Sequence, residues 1–166
     1  MYLDLLKTIE STALATWVRE STSLWVYPLI LTLHTVGLAM LVGTSAFIDA
    51  RLLGWSRLPL RPLRRLFVLV WSGLALNAAS GTLLFMADAS AKGVQATFWA
   101  KLACIATGVV LARRIQTTVF GPRLDDSAPP ADADTEPAPP GARGLAALSL
   151  AAWLGAIVAG RLMAYL

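Results

Sequence analysis

The sequence predicts an all-α protein, a bundle of four transmembrane helices preceded by an N-terminal amphipathic helix. Three observations carry this. Only 14% of the 166 residues are charged, against about a quarter in a soluble domain. The apolar residues, 57% of the chain, are gathered into long runs. Several of those runs approach the ~20 residues that a helix needs to cross the hydrocarbon.

Residues 1–22 form the leader. Leu3, Leu6, Ile9, Ala13 and Trp17 recur at helical spacing, while Asp4, Lys7, Glu10 and Glu20 interrupt the run. The segment is too charged to span and is suited to an interface. Capping one end of the bundle is an equally good use of the same helix. Asp4 and Glu10 also argue against a cleaved signal, whose apolar core is uninterrupted.

Residues 23–120 hold the first three spans. The first, at about 25–48, opens with Trp25 and Tyr27, whose rings prefer a membrane interface. Pro28 is acceptable in a first helical turn, where an N–H has no helical partner. The second span lies at about 66–87. The third, at about 97–119, is the least apolar, because Lys101 falls inside it and Arg113 and Arg114 near its end. It is therefore expected to be the most enclosed or partner-facing helix. Residues 121–143 hold six prolines and five acidic residues with almost nothing to bury, and are expected to be a disordered linker. The fourth span occupies 144–166.

The basic residues set a direction. Arg51, Arg57, Arg61, Arg64 and Arg65 follow span one, and Arg113, Arg114, Arg123 and Arg143 follow span three. The opposite side has Lys7, Arg19, Lys92, Lys101 and Arg161. The positive-inside rule places the arginine-rich connections in the cytoplasm and both termini on the outer face. Basic residues placed this way point to lipid headgroups as partners and give no case for nucleic acid. Cys104, the single cysteine, has no partner within the chain for a disulfide.

Helices in lipid associate by close packing and interhelical hydrogen bonds, so small and polar residues mark their interfaces. In span two, Gly73, Asn77 and Gly81 share a face. In span four, Ala151, Gly155 and Ala159 form one stripe, and Ala152, Ala156, Gly160 and Ala164 another. Gly108 lies near the middle of span three. These patterns do not say whether the neighbour is the same chain, a second copy or another membrane subunit.

His34 is the only histidine and lies within span one, with Asn77 the polar residue near the middle of span two. Three readings of His34 stay open. It bonds to Asn77 or a threonine and fixes the bundle. It is an axial ligand to haem b, with the mid-span glycines making room for a porphyrin edge and Met40, Met86, Met163 or another chain supplying the second ligand. Or it is the proton or substrate site of a small oligomeric transporter. A metal site is not expected, because no Cys/His cluster exists. Asp49 and Arg51 read as a local ion pair, or as headgroup contacts, at the inner end of span one. Arg161 either snorkels to the outer interface or pairs with Asp88 or Glu20. There is no phosphate loop, no nucleophile with a neighbouring histidine and no H-E-x-x-H, so no catalytic residue is assigned.

The run W-V-Y-P-L-I-L-T-L-H-T-V-G-L-A-M-L-V-G from Trp25, continuing through Asp49-Ala50-Arg51-Leu52-Leu53-Gly54, resembles the opening of a family of bacterial inner-membrane proteins grouped as a domain of unknown function. Its closing A-G-R-L-x-A-Y is matched here by Ala159 to Tyr165. The resemblance spans most of the chain and implies a four-span protein of the bacterial inner membrane. It carries no activity across. Members of the group often have a second histidine near the inner end of span three, where this chain has Ala112-Arg113-Arg114. Together these readings favour a non-enzymatic accessory or assembly subunit without a cofactor, ahead of a haem protein or a transporter.

Overall fold

In the computed structural model, which describes residues 1–121, 138–163 and 165, every described element is helical. Two short helices, α1 (Tyr2–Glu10) and α2 (Ala13–Glu20), precede the first span. That span, Val26–Leu53, consists of α3 (Val26–Leu38), one π-helical turn (Ala39–Gly43) and α4 (Thr44–Leu53). The second span, Leu60–Met86, joins a short α5 (Leu60–Leu63) through a 3-10 turn to α6 (Phe67–Met86). A single turn, α7 (Ala89–Lys92), leads to α8 (Ala96–Thr118), and α9 (Ala142–Leu162) is the fourth span. All four helices are long and apolar enough to cross a membrane, so the chain is a multi-pass membrane protein. Most of residues 121–143, expected to be a linker, lie outside the described residues.

The boundaries differ from expectation in two places. The leader is two helices, because Thr12 accepts a hydrogen bond from the Ala15 N–H and starts α2 afresh. Its buried residues are Leu6, Ala15 and Val18, while Leu3, Ala13 and Trp17 of the expected stripe are exposed. Span one also runs five residues further than its apolar run. It stops at Gly54, whose φ of +90° ends α4 in the left-handed conformation that glycine adopts without a steric penalty.

The spans pair unequally. The N-terminal half of span one, α3, packs on span two, its C-terminal half, α4, on span four, and span three packs chiefly on span four. At one end Arg143 lies 3.8 Å from the Cβ position of Gly54, and Phe67 meets Phe120 edge-on at 5.4 Å. The arginine-bearing connections therefore share that end. At the other end α1 packs on α7. Leu6 sits against Gly93, the Tyr2 hydroxyl donates to the Gly93 carbonyl (2.8 Å), and the Ser90 N–H donates to Glu10 (3.1 Å). Val18 of α2 joins Ile30, Leu84 and Ala87 in a small apolar cluster. The leader thus caps this end of the bundle.

Span three has the lowest mean hydropathy of the four, 1.3. It is nevertheless among the least buried, and span four is the most enclosed. Small size decides this more than polarity. The buried residues of α9 are Ala142, Ala146, Ser149, Ala152, Ala156 and Ala159, which let neighbouring backbones approach, and Trp153, which fills the space over Gly108.

Candidate functional site

Spans one and two come into backbone contact where both carry glycine. A Cβ on Gly37 would lie 2.7 Å from the Asn77 nitrogen, and one on Gly73 would lie 2.7 Å from the Leu41 nitrogen. The π turn of span one, Ala39–Gly43, is part of this crossing, since Leu41 lies within it. One turn outward from the contact, His34 and Asn77 bond each other reciprocally. The Asn77 side-chain amide donates to the His34 backbone carbonyl (2.9 Å), and His34 Nδ1 lies 3.1 Å from the Asn77 backbone carbonyl and 3.3 Å from the Asn77 amide nitrogen. The Ser80 hydroxyl lies 3.2 Å from the same Nδ1. A carbonyl can only accept and an amide NH2 can only donate, so the tautomer that bonds the Asn77 carbonyl carries its proton on Nδ1 and keeps the Nε2 lone pair, and the tautomer that bonds the Asn77 amide is the reverse. Gly81 lies beneath the ring, with its Cβ position 3.0 Å from Cε1.

Nε2 has no hydrogen-bond partner among the described residues, and the ring lines a cleft of about 410 Å3 between spans two and three. Those spans meet at their ends and leave a gap between. Trp71 donates to Gln116 (3.1 Å) near the arginine-bearing end, and Phe85 stacks on Phe98 at 4.9 Å near the other. The walls include Leu74, Ile105, Phe85, Phe98 and Trp99. Rim residues Ala78, Thr82 and Leu102 are exposed, so the cleft opens sideways.

Lys101 lines the same cleft. Its aliphatic stem runs over Gly160, 3.6 Å from that residue's Cβ position, and its ammonium makes no hydrogen bond or ion pair with a described residue. Counting 1.5 Å per residue from the N-terminal ends of the two helices places His34 about 12 Å and Lys101 about 8 Å along them from the same end of the bundle. A ring nitrogen and a cation therefore stand at similar depth in an aromatic, otherwise apolar cleft.

The remaining expected residues fall elsewhere. Gly108 and Gly155 leave no room for a porphyrin edge: the Trp153 ring lies 2.8 Å from the Cβ position of Gly108, and the Cys104 sulfur 3.0 Å from that of Gly155. Arg161 is exposed and forms no ion pair with a described residue, because Glu20 is bonded to Arg19 and Asp88 lies by Lys92. Asp49 is not paired with Arg51. Arg51 donates to the Leu58 carbonyl, and Asp49 is buried with 1% of its surface exposed. Among the described residues no three His, Cys, Asp or Glu side chains come together.

Gly37, Lys101, Trp153 and the burial of Asp49 were missed as site features. Gly37 stands three residues from His34 on the same helix face, which was a usable signal. Comparison with known proteins gives no match to a family model, a curated protein or a solved structure.

Proposed function

We propose that the chain is a non-enzymatic accessory subunit of a larger system in the bacterial inner membrane, and that its working part is the cleft between spans two and three. The arginine-bearing end faces the cytoplasm, both termini lie outside, and the leader rests at the outer interface with Leu5, Leu14 and Trp17 toward lipid. The exposed apolar faces of spans one and three leave room for neighbouring subunits.

The observation that carries the cleft reading is the pairing of His34 Nε2 with the Lys101 ammonium, both unpartnered in a lateral apolar gap. Ionisable groups inside a membrane are expensive, and as a rule they face a partner or a pathway. With the proton on Nδ1, Nε2 accepts a hydrogen bond, and Lys101 donates one. Flat aromatic walls beside them favour a ring. The complementary occupant is a lipid-soluble ring bearing oxygen substituents, of the quinone–quinol class. A hydroxyl donates to Nε2 and a carbonyl accepts from Lys101.

Titrating the purified protein with a short-chain quinone tests this, because Trp99 in the wall reports by fluorescence quenching. Saturable quenching is expected, weakened about tenfold by His34→Leu or Lys101→Met, roughly the cost of one buried hydrogen bond. Quenching that does not saturate, or that ignores both substitutions, counts against the reading.

A second reading, haem b on His34, is favoured by one observation. Histidines that ligate metals commonly donate their other ring N–H to a carbonyl, and Nδ1 here lies within reach of one. No methionine lines the cleft to serve as the opposite ligand. A Soret band after haem supplementation, lost in His34→Leu, would establish it in place of the quinone.

A further inference from the structure

On its C-terminal half, span one carries Ser45 and Asp49 four residues apart, hence on one helix face. That face meets Ser149 of span four. All three side chains are at least 96% buried: Ser45 is 4% exposed, and Asp49 and Ser149 are each 1% exposed. Oδ2 of Asp49 and the Ser45 hydroxyl lack a hydrogen-bond partner, and the Ser149 hydroxyl faces the Asp49 carboxyl without closing a well-aligned bond. They line one small cavity of about 10 Å3, closed by Ile48, Phe67 and Ile115.

Most other hydroxyl residues of the spans are satisfied within their own helix. Thr32, Thr35, Thr82, Thr107 and Thr117 each donate back to the carbonyl four residues earlier, the usual fate of a helical hydroxyl. Ser45 and Ser149 do not. Three oxygens around one space share a common occupant. The space is the size of one water molecule. Charge then selects among occupants of that size. Asp49 forms no ion pair with a described residue, and a carboxylate taken out of water without a counter-charge is costly and takes up either a proton or a cation. One negative charge balances one positive charge, and hard cations are bound by oxygen ligands.

We propose that Asp49, Ser45 and Ser149 form a binding site for a single monovalent cation of sodium's size, held at the junction of spans one and four. The site is separate from the cleft at His34 and does not rest on what fills that cleft. A cation here ties two helices that otherwise meet through small residues, so its occupancy stabilises the bundle.

Thermal unfolding of the full chain in detergent micelles tests this at constant ionic strength in NaCl, KCl or choline chloride. The midpoint should rise by several degrees in NaCl along a saturable curve, as binding to the folded state alone requires, with smaller or no rise in the other salts. Asp49→Asn should abolish the sodium response. Ser149→Ala, which keeps the charge and removes one ligand, should raise the half-saturating sodium concentration about tenfold. If Asp49→Asn does not fold, Ser149→Ala carries the test. Equal midpoints in all three salts mean that a proton on Asp49 takes the cation's place, or that water fills the cavity, and overturn the proposal. A sodium response unchanged in Ser149→Ala overturns it too, and equal effects of sodium and potassium remove the assignment to sodium.

Discussion

At the residue scale, the bundle turns on glycines whose missing side chains are replaced by someone else's backbone. Gly37 and Gly73 each occupy a position where a Cβ would meet a neighbouring main-chain nitrogen at 2.7 Å. Main chain cannot step aside as a flexible side chain can. Gly37→Ala should therefore force spans one and two apart and destabilise the protein by about 1–3 kcal/mol, the usual cost of overpacking. Gly43, in the same span, has nothing within 4 Å of its Cβ position. Gly43→Ala should be neutral or stabilising by up to about 1 kcal/mol, because alanine loses less backbone freedom in a helix. Denaturation of the two variants side by side in mixed micelles checks the pair, and equal losses would refute the close crossing. The Gly73-Asn77 face of span two was legible because spacing of four puts small and polar residues on one stripe. Asp49 was misassigned because sequence distance favoured Arg51 as its partner. A buried carboxylate and a solvated one look the same in a sequence, and the five further residues of helix that carry Asp49 inward lie beyond the apolar run.

At the element scale, the leader behaves as a cap on the end of the bundle away from the arginine-bearing connections. Glu10 connects it to the turn between spans two and three by accepting the Ser90 N–H and the Arg19 guanidinium. The bond from Ser90, aided by Arg19, holds the Glu10 carboxyl below the usual glutamate range. A carboxyl depressed on folding stabilises the docked state fully above its unfolded pKa of about 4.3. That contribution disappears as the pH falls through the lower folded value. The Ser90 amide resonance should accordingly shift with an inflection below that of an exposed glutamate, and Glu10→Gln should remove the inflection. A Ser90 resonance that titrates identically in both proteins would show that the leader is held by other contacts. The leader was expected as one helix because its apolar stripe continues through Ser11 and Thr12. The Thr12 cap restarts the helix, and that changes which residues are buried. Packing partners among the spans were less legible still. A helix bathed in lipid is apolar on all sides, so the amphipathic signal that marks a buried face in water is absent. Trp153 filling the space over Gly108 is a case in point.

At the scale of the whole molecule, four spans were legible because length and apolarity alone identify a crossing helix. Their arrangement was not, and it produces the site: span two turns to span one, span three turns to span four, and the cleft is what remains between the two pairs. Topology follows from the arginines. Reporters fused near Ser90 and after Leu166 should read as external and one near Arg57 as cytoplasmic, and the opposite pattern would invert the proposed orientation. The most direct test of the central claim uses a photoreactive amino acid in place of Leu102, on the rim of the cleft, irradiated in native membranes and followed by intact-mass spectrometry. The account predicts a single adduct with the mass of a lipid-soluble quinone or quinol, lost in His34→Leu. Crosslinks only to polypeptide, or phospholipid adducts indifferent to His34→Leu, would contradict it.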